Sequence, residues 1–357
     1  VETESLTLAR GRTEVSRLDL QATAQQTVER VEGAYWDVLA ASAALRIARL
    51  SLKRAQDLLE LNRKKVEVGT LAPIEITQAE AGVASQEEGV IVAEITLLDA
   101  EDELRRLLAI PEGDARWGQA IAILDRPDFE RREVDLDEAL EVAAVRRPEL
   151  AAARQRERDS ELSERLARKR IRHDLSLQAG FQPTGIAGDE FIPNPVPPPA
   201  LLQVDEADFG ESFTRIADLD NYTWNAGLVY RVPFGNRAAK ATARRATLER
   251  EKTSIALQNQ EQSIRVEVRR AVRAVDSGGK RVEAARANLG LQQKKLEAEQ
   301  KKFENGMSTS FEVLTFQNDL ADAELSDIRA RLDYLKALAA LERSKGTLLE
   351  ARGLSLD

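Results

Sequence analysis

KKFENGMSTSFEV, Lys301–Val313, repeats KKVEVGTLAPIEI, Lys64–Ile76, at an offset of 237 residues. Lys64, Lys65, Glu67, Gly69 and Glu75 recur as Lys301, Lys302, Glu304, Gly306 and Glu312, while Val66, Ile74 and Ile76 meet Phe303, Phe311 and Val313. No gap is needed, and the register continues on both sides. Upstream, Val31, Val38, Leu45, Leu52, Leu59 and Val66 stand seven residues apart and fall on Val268, Val275, Val282, Leu289, Leu296 and Phe303. Downstream, Val83, Ile91, Ile95, Leu98 and Leu104 fall on Leu320, Ile328, Leu332, Leu335 and Leu341. One long unit is used twice.

A seven-residue apolar period specifies helices that wrap around neighbours in a left-handed coiled coil. Each seam breaks once, at Gly69 or Gly306, where glycine suits the positive φ of a residue just past a helix end. A new helix then starts, with Pro73 in a first turn in one copy and a Thr309–Glu312 capping box in the other. The pattern predicts helices over about 14–67, 74–108, 237–305 and 310–350, paired as two helical hairpins with tips near 69–73 and 305–309. Gly278, Gly279 and Gly290 are the weak points of the third.

Composition agrees with rods rather than a compact catalytic core: of 357 residues, 32% are charged and only 4% aromatic. The net charge of −9 is spread along the chain and argues against nucleic acid as partner. There is no cysteine, so disulfides and thiolate chemistry are excluded, and His173 is the single histidine, too solitary for a metal site. No cofactor is expected. No apolar run is long enough for a membrane-spanning helix. The first residues are polar and carry no signal-peptide pattern. The offset sets Val1 against Ala238, so the repeat predicts a preceding segment of roughly a hundred residues.

Between the hairpins the texture changes. Residues 111–135 read as an irregular connector, followed by short helices from about Asp137 to Arg146 and Glu149 to Arg172. The second ends in a basic cluster, RLARKRIRH (Arg165–His173). Such a cluster suits a helix end beside anionic headgroups better than a nucleic-acid site. LSLQAGF then places Leu175, Leu177, Ala179 and Phe181 on one side of a strand. YTWNAGLVYRVPF places Trp224, Ala226, Leu228, Tyr230, Val232 and Phe234 on one side and Asn225, Gly227 and Arg231 on the other, with Val229 an apolar exception. Lipid outside and water inside a barrel demand this alternation, with aromatics near the interfaces. FIPNPVPPPA, with five of the chain's eleven prolines, lies between the strands and reads as a long exposed loop. The layout expected is therefore 1–110 first hairpin, 111–172 connector and short helices, 173–236 membrane strand pair, 237–350 second hairpin, and 351–357 tail.

The order of strand, VPFGN turn, long helix, glycine tip and long helix, with its helical part duplicated, resembles the TolC family of outer-membrane efflux proteins. YRVPFGNRAAKATARRA, KKVEVGTLAPIEITQAEAGVA and KKFENGMSTSFEVLTFQNDLADAEL carry the resemblance, which covers nearly the whole chain. It implies a mainly α fold of two antiparallel coiled-coil hairpins plus a β-hairpin. Three copies would form a homotrimer whose barrel, of about twelve strands, sits in the outer membrane of a Gram-negative bacterium. The barrel continues as a helical tunnel through the periplasm. A periplasmic adaptor would join the tips to an inner-membrane pump, making the protein the passive exit duct of an efflux or type I secretion system. This chain supplies one strand pair. Three copies would give about six strands, below the roughly eight of the smallest barrels, so it reads as part of a longer protein.

At the tips the resemblance implies a pore constriction at Glu75 and Glu312, where clustered carboxylates would select cations. Helix capping alone also accounts for both. The aromatic and arginine that can lock the family's closed state are represented by Phe303 and Ser308, which lack the groups for it. Gly69, Thr70, Leu71, Gly306, Met307 and Ser308 resemble the adaptor-docking surface, with an ordinary helical turn as the alternative. No residues support an enzyme: Asp99 and Glu103 are neighbours on a solvated helix face, and no nucleotide-binding or nucleophile-elbow motif is present. Energy for transport would come from a partner. A soluble coiled-coil scaffold or a periplasmic adaptor is the competing reading, and neither has use for the alternating strands.

Overall fold

The computed structural model describes residues 2–355 except 112, 126, 173, 186–189, 195–199, 206–208, 220 and 233, and only the backbone of 2, 3, 174, 190–194, 200–205 and 211. His173 and half of the proline-rich stretch thus lie outside the described residues. The chain packs as two units, residues 5–159 with 252–357, and 160–251 with the first residues of the chain.

The first unit holds most of the two hairpins. Helix α1 (Glu2–Glu67) pairs with α2 (Ile74–Leu107), and α6 (Arg237–Glu304) with α7 (Ser310–Lys345). Every upstream heptad position is buried or half-buried, with Val38, Val268, Val275 and Val282 no more than 1% exposed. Downstream the copies differ: Leu332 is buried, whereas its counterpart Ile95 is 55% exposed. Gly278 and Gly279 do not interrupt α6. They make room for the ring of Tyr334, whose Cδ2 lies 3.3 Å from where a Cβ of Gly278 would stand.

The connector after α2 is irregular but anchored. Its Ile121 and Ile123 cover the Ala34–Val38–Leu104 core, and Phe129 and Val134 cover the core around Val275, Val282 and Tyr334. Helices α3 (Leu136–Arg146) and α4 (Pro148–Lys169) follow. Ala139, Ala143 and Leu150 pack on Ile264 and Val268 of α6.

Helix α7 was expected to reach Glu350 but ends at Lys345, and a short α8 (Leu348–Ala351) replaces its last turn. Gly346, at φ 80°, caps it: the Gly346 N–H donates to the Arg343 carbonyl at 2.9 Å and the Thr347 N–H to the Glu342 carbonyl at 2.9 Å. Six-to-one and five-to-two bonds of this kind satisfy carbonyls that a helix end leaves open.

In the second unit, β1 (Asp174–Pro183) pairs antiparallel with β4 (Tyr222–Arg231). Between them the expected long loop is corrected. Strands β2 (Glu190–Asn194) and β3 (Ala200–Asp205) form a second two-stranded sheet, and α5 (Phe209–Ala217) follows. A two-stranded sheet has only edge strands, so Pro193, opposite Leu201, removes no ladder bond that an interior strand would need. Helix α5 is marked by Phe209, Phe213 and Ile216 at helical spacing. The β2–β3 register contains an irregularity beside Glu190.

Gly346 also faces the chain at close range, since a Cβ there would stand 2.7 Å from the Arg146 carbonyl. Gly346→Ala is therefore expected to destabilise by about 2 kcal/mol through strain and clash. Gly33→Ala, where a Cβ meets nothing within 4 Å in mid-helix, should stabilise by about 0.5–1 kcal/mol. Thermal unfolding midpoints followed by circular dichroism would move in opposite directions for the two variants.

Candidate functional site

Both hairpins turn on the same backbone geometry. Gly69 and Gly306 take φ of 75° and 73°. The Gly69 N–H donates to the Val66 carbonyl and the Thr70 N–H to the Lys65 carbonyl, each at 2.9 Å. In the second copy the Gly306 N–H donates to Phe303 at 3.2 Å and the Met307 N–H to Lys302 at 2.9 Å, the same pair of bonds 237 residues on. A side chain at either glycine would be forced into the left-handed region that Cβ disfavours.

The two tips lie side by side. Asn62, fully buried on α1, donates through Nδ2 to Ser310 Oγ at 2.7 Å and to the Glu75 carbonyl at 3.2 Å. Glu75 Oε2 accepts from the Ser310 backbone N–H at 3.0 Å. Lys65 Nζ donates to the Phe303 carbonyl at 3.0 Å and stands 4.2 Å from the centre of the Phe303 ring. Beneath this polar layer Leu58, Phe303 and Val313 form an apolar plug. Gln86 of α2 and Asn318 of α7 bond farther along at 2.9 Å.

The paired glutamates therefore do different work. Glu312 completes the expected capping box: Oε2 accepts from the Thr309 N–H at 3.1 Å, and the Glu312 N–H donates to Thr309 Oγ1 at 3.3 Å. Glu75 instead caps α7, the helix of the other hairpin. In the first copy Ala72 stands where Thr309 stands, and the residue at the N-cap, Pro73, makes no side-chain cap bond. Proline also lacks the N–H that a cap carboxylate would accept from.

Ser308 links a further carboxylate. Its Oγ lies 2.5 Å from Glu299 Oε1 and 2.8 Å from Glu312 Oε2, and Lys302 Nζ donates to Glu299 Oε2 at 2.9 Å. The Ser308 and Lys302 hydrogen bonds hold the Glu299 carboxyl below its ordinary value, against the opposing Glu312 charge. The Thr309 backbone N–H, then Ser308, do the same for Glu312. Asn62, Glu299 and Ser310 escaped the sequence reading. Asn62 and Glu299 are repeat equivalents on otherwise apolar seams, between Leu59 and Val66 and between Leu296 and Phe303. A polar residue at that position in both copies was the available signal.

Of the expected docking residues, Met307 is 69% exposed and Leu71 is half-buried. Val68, Ile74 and Phe311 supply the exposed apolar surface beside Met307. Thr70 is exposed yet spends its hydroxyl on the Lys65 carbonyl at 2.9 Å. In the basic cluster Arg168 pairs with Glu164 at 2.5 Å, and Lys169 pairs with Glu4. Among the described residues no group of three or more metal-binding side chains converges.

The strand pair forms a second candidate surface. Its register sets Leu175 opposite Tyr230, Leu177 opposite Leu228, Ala179 opposite Ala226, Phe181 opposite Trp224 and Pro183 opposite Tyr222. Alternation puts these five pairs on one face. Gln178, Gly180 and Gln182 lie on the other face, opposite Gly227, Asn225 and Thr223. Aromatic rings stand at both ends of the apolar face, as a membrane-facing strand requires. No described helix is long and apolar enough to cross a membrane.

Thr309→Ala is expected to cost about 1 kcal/mol at neutral pH by removing the cap acceptor. Because the folded Glu312 value is depressed, its stabilisation is present above the ordinary carboxyl value and is lost as pH falls through the folded value. The gap in unfolding midpoint between wild type and Glu312→Gln should therefore be full at neutral pH and close under acid.

A profile of the outer membrane efflux protein family matches residues 3–109 and 139–347. The pyoverdine export outer membrane protein OpmQ of Pseudomonas putida is 24% identical over 333 residues, covering 93% of this chain and 64% of its own length. This chain thus spans a little under two thirds of that relative. Among solved structures, the CmeC outer membrane channel of Campylobacter jejuni has a TM-score of 0.76 at 15% identity, over 97% of this chain and 68% of CmeC. The open-state MtrE outer membrane channel of Neisseria gonorrhoeae has a TM-score of 0.73 at 17% identity, over 97% of this chain and 72% of MtrE. Duplicated hairpins, matching glycine tips and a strand pair with one apolar face coincide with these findings, and the chain belongs to the outer membrane efflux protein family.

Proposed function

We propose that the chain forms, as a homotrimer, the passive exit duct of an efflux or type I secretion system. Its β1–β4 pair contributes to a barrel in the outer membrane, and its hairpins form a periplasmic tunnel that closes at the tips. A periplasmic adaptor engages the exposed tip residues around Met307, and an inner-membrane pump supplies the energy. The observation that carries this reading is the side-by-side placement of two equivalent tips, held by Asn62, Ser310 and Glu75. Two hairpins that end together can form part of one iris. Efflux by the family and pyoverdine export by OpmQ agree with this role.

Glu75 and Glu312 are the proposed constriction, with capping as their other task. Charge and capping separate in the amides, which keep a carbonyl acceptor and lose the charge. In planar bilayers the full-length Glu75→Gln/Glu312→Gln protein should lose cation preference while its closed level stays near that of wild type. Glu75→Ala/Glu312→Ala should both lose preference and leak. Selectivity unchanged in both variants would leave the glutamates as caps only.

A further inference from the structure

Helix α5, FGESFTRIA (Phe209–Ala217), is amphipathic along its whole length. Phe209, Phe213 and Ile216 recur at helical spacing on one side, and Thr214 and Arg215 stand on the other, with Asp218 just beyond the helix end. The apolar side is the open one. Phe209 is 75% exposed and Phe213 61%, their rings edge-on with centres 5.5 Å apart. Ser212, on the flank, is buried and donates to the Phe209 carbonyl at 2.6 Å. A helix that turns its aromatic side away from protein needs another cover.

Position indicates what that cover is. In the chain, α4 precedes the Asp174 end of β1 and α6 follows the Arg231 end of β4, so α5 belongs to the opposite end of the pair, where Pro183 faces Tyr222. In the proposed duct this is the cell-surface end. Phe181, Tyr222 and Trp224 gather there, the rings of Phe181 and Tyr222 5.6 Å apart, as aromatic side chains do at a membrane interface. The odd-numbered residues 175–183 make up the apolar face of β1, and pairing continues one residue further through the Thr184 N–H and the Asn221 carbonyl at 2.8 Å. Gly185 is next in that odd series. A Cβ there would overlap the Ser212 carbonyl oxygen and stand 2.9 Å from Ile216 Cγ1. Helix α5 is therefore laid on the apolar side of the strand pair. Copies of α5 meeting over the mouth of a barrel would need it on the polar side.

We infer that α5 is an interfacial helix, lying in the headgroup boundary of the outer leaflet beside the barrel wall, with Phe209 and Phe213 among the lipid chains. The inference rests on the membrane strand pair of the duct proposed above and adds a second lipid contact, made by the segment between β1 and β4. Apolar burial holds the helix there, not charge: residues 205–220 carry six acidic residues and one arginine, a balance that anionic headgroups repel. Uncharged lipid is therefore sufficient to seat it.

The sequence has no cysteine, so single labels can be placed cleanly. Phe209→Cys, Phe213→Cys, Thr214→Cys and Leu228→Cys would each carry an NBD label in the full-length protein, reconstituted into phosphatidylcholine vesicles. Two quenchers are compared: a phosphatidylcholine with a nitroxide high on one acyl chain, and iodide in both aqueous compartments. Leu228, in mid-strand on the apolar face of β4, reports insertion of the strand pair. Labels at 209 and 213 should be quenched by the nitroxide lipid about threefold more than the label at 214, with the order reversed for iodide. Lipid quenching at 228 with no excess at 209 and 213 over 214 overturns the interfacial helix and leaves the strand pair in the membrane. Excimer emission from pyrene at 213 that vanishes on mixing with unlabelled copies shows α5 helices meeting one another, and overturns it as well. Absence of lipid quenching at 228 overturns the membrane strand pair itself, and with it the barrel of the duct.

Discussion

A seam of aliphatic heptads tolerates sliding by whole repeats, so two long rods need something else to fix their level. Asn62 does this. It sits between Leu59 and Val66 on the α1 seam with no exposed surface, and its amide is tied to both Ser310 of α7 and the Glu75 carbonyl of α2. A buried polar group in a coiled coil selects register at some cost in stability. A slip would strand that amide in an apolar layer, at about 1–3 kcal/mol for an unsatisfied buried donor. The matching height of the Gly69 and Gly306 turns follows, and with it every cross-hairpin contact that depends on alignment.

Duplication made the tips equal in backbone and unequal in chemistry. Both use the same pair of bonds around glycine. The second copy then starts α7 with Thr309 and closes its own cap, while the first starts α2 beside Pro73 and leaves Glu75 uncommitted. Glu75 turns to the Ser310 N–H, so loss of a local cap becomes a bond between hairpins. A donor without an intrahelical partner at the start of α7 and a carboxylate without a local donor satisfy each other.

Much of this was legible because it is local or periodic. The heptads located four rods, glycine with the following cap residues located the tips, and period-two alternation located β1 and β4. What escaped depends on contacts or on weak local signals. Glu75 was legible as a cap but not as a cap for α7, since its partner lies 235 positions away. Prolines concealed β2 and β3, because Pro193 is compatible with a strand only where no interior ladder bond is required. The break at Gly346 carried a readable signal in SKG, a basic last turn followed by glycine, but the seam leucines on either side suggested continuity. The partial burial of Leu71 and the exposure of Ile91, Ile95 and Leu98 on α2 could not be read from one hydrophobic pattern, because identical spacing serves both covered and uncovered faces.

The connector adds a second tie between the hairpins, at a level away from the tips. Phe129 stacks edge-on against Tyr334 at 5.0 Å between ring centres. The Tyr334 hydroxyl accepts from the Arg132 N–H at 2.8 Å and donates to the Glu130 carbonyl at 3.0 Å, with the residue 1% exposed. The same stretch bonds Asp125 to Tyr35 of α1 and Arg131 to Glu283 of α6 at 3.0 Å, so it touches both hairpins. Sliding one hairpin along the other within a chain would break the buried Tyr334 bonds and the Asn62 knot together. At about 0.5–1.5 kcal/mol net for each hydrogen bond, and more for each buried group left unsatisfied, several such losses must occur at once.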